Sequence, residues 1–409
     1  MTLTLRLAWR NLWRHKRRTW LTATAMIFSN LLLVFMISLQ LGSYDMMINN
    51  TLQAFSGHLQ VQMADYNENP KLRTSIAAVQ PLAESIRKTL PELRVAARAA
   101  GFALASSEQR SFGIQVIGVE PGHEPGVSTL PGLVSQGRYL ESLSAAEIVI
   151  GSVMARNMKV EIGDEVTLLG SGRDGSFAAG VVTIVGIFDS GSNDMDRSIA
   201  EVPLAYFQET FAMRDHGNSI AISLEHLDQI PAAVSAIEDL ISDREGLVVL
   251  DWTALHPGLQ QAIKADFSSA WFMYGVLIIL VAFSVLNTQL MSVLERTREF
   301  GVITALGIKP RKLATLVMLE TALMASIGLA IGVFLGAVVA LYFGAVGFSY
   351  PGMEEAAARF NLPGSMYPKV SVTSLLLGPG VVFAFCLLAS IYPALRLFRL
   401  RPVEAMRAM

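Results

Sequence analysis

The sequence predicts an α+β integral membrane protein: four transmembrane helices, with a large α+β extracytoplasmic domain between helices 1 and 2. Three observations predict it. Of the 409 residues, 52% are hydrophobic and only 16% charged, and mean hydropathy is +0.45; an average soluble domain has about 25% charged residues. Four stretches stay apolar over the ~20 residues that a bilayer crossing takes. The basic residues gather at one side of all four, where the positive-inside rule places the cytoplasm.

Residues 1–18 read as a cytoplasmic amphipathic elbow helix. Leu5, Trp9, Leu12 and Trp13 share one helical face, and Arg6, Arg10, Arg14 and Arg17 share another, the pattern of a helix lying in the membrane interface. Residues 19–44 form a charge-free first span. The run is longer than a signal-peptide core and no A-x-A cleavage site follows, so it reads as a retained anchor. The extracytoplasmic domain takes 45–266, the second span 267–294 and a cytoplasmic loop 295–312. The third span, 313–343, carries only Glu320 as a charge; an extracytoplasmic loop takes 344–369, the fourth span 370–395 and a cytoplasmic tail 396–409.

The inner flanks hold Arg18, Arg296, Arg298, Lys309, Arg311, Lys312, Arg396, Arg399, Arg401 and Arg407 in addition to the elbow cations. A net charge of −2 therefore conceals a basic inside and an acidic outside. It also argues against nucleic acid as a partner. Both termini are expected in the cytoplasm.

Within 45–266, β-rich runs occur at 113–119, 147–150, 164–169, 180–188, 219–223 and 247–250, with helical periodicity at 79–90, 152–159 and 230–241. Signs of catalysis are weak here. Gly170, Gly172 and Gly175 match G-x-G-x-x-G, but a strand pattern follows instead of the helix that would hold a pyrophosphate, so a hairpin loop is expected. His15, His58, His123, His216, His226 and His256 lack metal-ligand spacing. Asp189, Asp194 and Asp196 lack the spacing of a calcium loop and read as a solvated loop. No nucleophile elbow and no G-x-x-x-x-G-K-[ST] occurs, so no catalytic residue, metal or cofactor is expected in this chain, and any nucleotide binds another subunit. The single cysteine, Cys386, cannot form an internal disulfide.

The loop LMSVLERTREFGVITALGIKPRKL is the most informative segment. It reads as a stalk through Glu295, Arg296, Arg298 and Glu299, then a short helix of about 300–306 with exposed Phe300, Val302 and Ile303. Gly307 is placed to cap that helix and Pro310 to stop its continuation. Such a helix, with Gly301 and Leu306 in its body and a charged rim, suits docking in a groove. The segment closely resembles the coupling region of the MacB/LolC/FtsX class of ATP-binding-cassette permeases. LAWRNLWRHKRRTWLT resembles that class's elbow and first span, the stretches from GRYL to EVTLL and from TIVGIF to YFQETF resemble its outer core domain, and LRLFRLRPVEAMRAM resembles its tail. GHLQVQMADY and GIFDSG are most like the lipoprotein-releasing LolC/LolE permeases.

The resemblance implies a non-catalytic permease subunit of the bacterial inner membrane. It implies pairing with a second permease subunit, as homo- or heterodimer, and docking of a cytoplasmic ATPase dimer that carries ATP and Mg. A periplasmic lipoprotein carrier or an outer-membrane partner is the further implied partner, and the chain starts at the elbow, so its ATPase is expected to be separate. The implied work is extraction of lipoprotein or other lipidic cargo by mechanotransmission; MacB-like efflux and FtsX-like signalling to cell-wall hydrolases remain alternatives.

Three further sets of residues follow from the spans. Gly328, Gly332 and Gly336 make a small-x-x-x-small stripe for close helix packing. Glu320 is an intramembrane acid, expected to pair with a basic residue of the stalk or tail. Phe35, Met36, Leu39 and Met46, facing Phe267, Trp271, Phe272 and Tyr274, are adaptable and aromatic surfaces that suit acyl chains.

Overall fold

The computed structural model describes residues 3–14, 16–353 and 364–399. His15, Arg401 and Arg407 lie outside them, as do the side chains of Arg18 and Arg399. The chain divides into two compact units: Met1–Tyr44 with Ile263–Tyr350 and Ser365–Met409, and Asp45–Ala262 with Pro351–Gly364.

The helices in order are α1 Leu3–Arg14, α2 Lys16–Thr51, α3 Val79–Thr89, α4 Glu124–Val127, α5 Ser152–Met158, α6 Asn193–Ser198 and α7 Leu204–Thr210. They continue with α8 Ile230–Ile241, α9 Trp252–Leu255, α10 Pro257–Glu295, α11 Thr297–Ala305, α12 Pro310–Val346 and α13 Val372–Arg396. Four helical stretches among the described residues are long and apolar enough to cross a membrane: Thr19–Ser56, Pro257–Glu295, Pro310–Val346 and Val372–Arg396. Three of them contain an apolar window of the sequence whole, and their ends overrun it because a helix persists through polar residues that hydropathy rejects; the fourth begins at Val372, where Ser371 caps it, two residues inside the 370–395 window. Arg17 belongs to α2, so the basic face of the elbow is divided between two helices.

The first unit is a helical bundle. Its core joins Leu12 of α1 to Met26 and Leu33 of α2, Val281 and Val285 of α10, Met324 of α12 and Cys386 of α13. Pro310 opens α12, where its missing N–H costs nothing. A reciprocal cap opens α13: the Ser371 hydroxyl accepts from the Ser374 N–H at 3.1 Å, and the Ser374 hydroxyl accepts from the Ser371 N–H at 3.0 Å.

The second unit is built on a ten-stranded mixed sheet. Its strands are β1 Leu59–Met63, β2 Arg94–Ser106, β3 Ser111–Val119, β4 Val134–Gly137, β5 Glu147–Gly151, β6 Glu165–Ser171, β7 Phe177–Phe188, β8 Ile199–Pro203, β9 Ser219–Ser223 and β10 Leu247–Asp251. The order is β10-β1-β9-β2-β3-β8-β5-β7-β4, with β6 pairing β2 and β7. All six β-rich runs and all three helical patterns fall on elements of the expected type. The Gly170–Gly175 region is a hairpin turn, in which Gly172 N–H donates to Ser176 O at 2.8 Å and Gly175 has φ +89°.

Asp196 corrects the solvated-loop expectation. It is buried, and its Oδ1 accepts the Ser190 backbone N–H at 3.0 Å and the Ser190 hydroxyl at 2.5 Å. Burial raises its pKa. The aspartate holds the 189–192 turn against the start of α6; it is a structural tie.

Candidate coupling site

The helix α10 ends at Glu295, and Arg296 breaks it with φ −100° and ψ 9° before α11 begins at Thr297. Arg298 and Glu299 therefore sit in the first turn of the short helix instead of a stalk. Gly307 follows with φ +92° and its N–H donates to Thr304 O at 3.0 Å, the left-handed stop expected of it. Glu295 and Arg298 are exposed.

Phe300 corrects the docking face. It is only 1% exposed and packs among Val293, Leu313, Ala314, Val317, Ala394 and Leu397, so it anchors α11 to the bundle. Gly301 is buried beside it, and Ile303 is half-buried. The surface that α11 and the turn after it offer is Val302, Leu306, at 79% exposure, and Ile308. The helical period puts Val302 and Leu306 on one side, four residues apart, and Phe300 on another; the sequence pattern alone did not say which apolar side faces inward.

A ring of polar contacts holds this helix. Asn11 Nδ2 of α1 donates to Glu320 Oε1 at 2.6 Å, and Arg296 Nη1 donates to the same oxygen at 3.1 Å and to Oε2 at 3.3 Å. Arg296 Nε reaches Glu299 at 3.5 Å, and Glu299 pairs with Arg14 of α1 at 3.0 Å. The guanidinium carbon of Arg296 lies 4.8 Å from the Phe300 ring centroid. Glu320 is buried, so its expected basic partner is Arg296 of the stalk, supplemented by an elbow amide. Asn11 and Arg14 lie three residues apart on α1; the ring joins α1, the α10–α11 break, α11 and α12. Sequence reasoning missed Asn11. Its signal was a lone uncharged amide between Ala8 and Leu12, both buried, on a helix otherwise rich in arginine.

The glycine stripe is packed within the chain. A Cβ at Gly328 would lie 2.7 Å from Met26 Cβ, at Gly332 2.6 Å from Asn30 Cβ and 2.7 Å from Ile27 O, and at Gly336 2.8 Å from Val34 Cβ. The partner is α2 at every step.

Of the apolar candidates near the span ends, Phe35 is corrected: it is 9% exposed, with ring centroids 5.7 Å from Phe343 and 5.8 Å from Phe348. Met36 and Phe267 are exposed, and Leu39 and Trp271 are half-buried. Phe267 and Trp271 stack edge to face at 6.1 Å, and Trp271 and Tyr274 at 6.0 Å.

The α+β unit hides a charged cluster that the sequence did not announce. Arg98 and Glu124 form a buried bidentate pair, and Arg98 covers the Phe55 ring at 4.6 Å. Glu201 Oε2 accepts the Tyr139 hydroxyl at 2.6 Å while Oε1 has no hydrogen-bond partner among the described residues. Burial first, then the Glu124 charge, push the Glu201 carboxyl up to about 8. His58 is buried too: its Nδ1 accepts the Leu224 N–H at 3.1 Å and its Nε2 faces Asn49 Oδ1 at 2.9 Å, and burial lowers its pKa to about 4.

Two family profiles match the sequence: the MacB-like periplasmic core domain over 19–240 and the FtsX-like permease C-terminal domain over 271–402. A lipoprotein-releasing system transmembrane protein LolC of Xylella fastidiosa is 26% identical over 308 residues, 71% of this chain and 72% of the relative. The pyoverdine export ATP-binding/permease protein PvdT of Pseudomonas fluorescens is 24% identical over 98% of this chain and 58% of its own length. Among solved structures, the periplasmic region of MacB from Actinobacillus actinomycetemcomitans aligns with 53% of this chain and 98% of its own, at 12% identity and a TM-score of 0.38.

Proposed function

Because the chain belongs to the FtsX-like ABC transporter permeases that carry a MacB-like periplasmic core domain, we propose that it is the membrane subunit through which a separate ATPase dimer drives extraction of a lipidic cargo. The observation that carries the reading is α11 with the turn after it: a short helix stopped by Gly307 and anchored by Phe300, the two together presenting Val302, Leu306 and Ile308 outward. Such a face fits a complementary groove on a partner. The 409 residues hold no Walker A sequence, so nucleotide binding falls to the ATPase.

In this reading the basic side of the bundle, with both termini, faces the cytoplasm of a bacterial inner membrane, and the α+β unit lies outside. A second permease subunit completes the pair. Closure of the ATPase dimer pushes α11; Phe300 and the Arg296–Glu320 contact pass the displacement into α12 and α1, and Gly328, Gly332 and Gly336 pass it on to α2. Likeness to LolC favours lipoprotein as cargo, with a periplasmic carrier as acceptor. The likeness to PvdT, named as an exporter, supports a second reading, efflux of small molecules.

Photo-crosslinkers at Val302 and Leu306 test the docking face, and crosslinkers at Met36 and Phe267 test the cargo. The proposal expects an ABC-type ATPase on the first pair and, in an ATP-dependent way, acylated protein on the second. Phe35 serves as the buried control. Crosslinks from Met36 and Phe267 only to bulk phospholipid, unchanged by ATP, would move the reading to efflux or signalling.

A further inference from the structure

The elbow helix α1 turns Ala8 and Leu12 inward and leaves Trp9 and Trp13 exposed. Trp13 stands edge to face with Trp9 at 6.1 Å and with Trp20 of α2 at 6.4 Å. Beside this aromatic ladder is a narrow cleft floored by Leu12, Ala23, Ile27 and Met324 and walled by Trp13 and Trp20. The one hydroxyl among its described lining residues, that of Thr19, donates to Leu12 O at 2.7 Å. A dry cleft of this kind, with a volume of about 30 Å³, suits contact with a short stretch of a hydrocarbon chain.

The cations one turn from its aromatic walls have no ion-pair partner among the described residues. Arg10 lies one helical turn before Trp13, and Lys16 and Arg17 lie one turn before Trp20; all three are exposed and make no ion pair among the described residues. Arg14, by contrast, is held by Glu299. The helical turns that flank this apolar slot carry exposed cations, an arrangement complementary to an amphiphile with an anionic head. We propose that this cleft binds one acyl chain of an anionic phospholipid whose headgroup is held by Arg10, Lys16 and Arg17. The lipid then seats against the same helix that contributes Asn11 and Arg14 to the polar ring, so the position of the elbow depends on membrane composition.

The test uses the full chain in nanodiscs, with Trp9, Trp252 and Trp271 replaced by Phe so that Trp13 and Trp20 report. Chain-brominated phosphatidylglycerol or phosphatidylcholine is titrated into unlabelled phosphatidylcholine and quenching is followed. Half-quenching is expected at a mole fraction on the order of tenfold lower for the glycerol lipid. R10Q/R17Q, surface changes that leave folding intact, should abolish the preference, and Ala23→Leu should reduce quenching by both lipids. Equal midpoints for the two lipids, a preference that survives R10Q/R17Q, or unaltered quenching in Ala23→Leu each overturn the proposal.

Discussion

Arg296 and Glu320, 24 residues apart in sequence, meet at 3.1 Å where α10 breaks and α12 passes. Both side chains are largely shielded, so water competes little for either charge. A buried pair of this kind is costly to break from one side, because the surviving charge stays desolvated.

Arg296→Met should therefore destabilise the bundle by about 3–5 kcal/mol, while Glu320→Gln, which keeps an acceptor for Asn11 and Arg296, should cost clearly less. Thermal unfolding of the detergent-purified chain, read by size-exclusion, ranks the two. Equal losses would mean that charge, and not hydrogen bonding, holds the contact.

Two apolar residues of the coupling segment should part company. Leu306→Asp is expected to leave the melting temperature unchanged and to lower ATPase association. Phe300→Ala, opening a cavity in a packed cluster, should cost about 3–5 kcal/mol and lower the melting temperature. Normal ATPase capture by a well-folded Leu306→Asp variant would refute the docking face.

At Gly332 a Cβ meets both Asn30 Cβ and the Ile27 carbonyl, and backbone cannot swing aside. Gly332→Ala should cost about 1–3 kcal/mol through overpacking, and Gly332→Leu more. A melting curve for Gly332→Ala superimposed on that of the parent would show that α2 and α12 can separate freely.

His58 and Glu201 give the α+β unit opposite pH slopes. The folded His58 pKa, about 4, lies below the free value of about 6.5, so the unfolded chain binds more protons between them. Its contribution is complete above the free value and drains away as pH falls through that window. The folded Glu201 pKa, about 8, lies above its free value of about 4.3, so its contribution is complete below the free value and is lost as pH rises toward 8. Hydrogen exchange of β8 and β9 amides in the full chain should show both slopes; Glu201→Gln should flatten the alkaline one and leave the acidic one.

The elements that were legible in the sequence are those whose neighbours barely matter. The four apolar helices and the strands β3, β5, β6, β7, β9 and β10 announce themselves by hydropathy, alternation or β-branched content. Arg94–Ser106 did not, because RVAARAAGFALAS has the alanine and arginine content of a helix; burial of Val95–Ala99 from both sides makes it a strand. The Gly307 stop and the basic partner of Glu320 were legible as local chemistry. The inward turn of Phe300 and Phe35 and the inclusion of Asn11 were not, since each is decided by a helix remote in sequence.

The pairing of β1 with β10 and β9 governs how the domain can be born. Val61 meets Val249, and residues 219–223 of β9 lie on the other side of β1. At roughly 5–20 residues per second of synthesis, β1 waits on the order of 10–40 seconds, both edges open, before its partners emerge. Unpaired edges invite pairing with other chains, so the nascent domain has its greatest need of a chaperone in that interval, and a chain arrested before residue 219 is expected to be proteolysed.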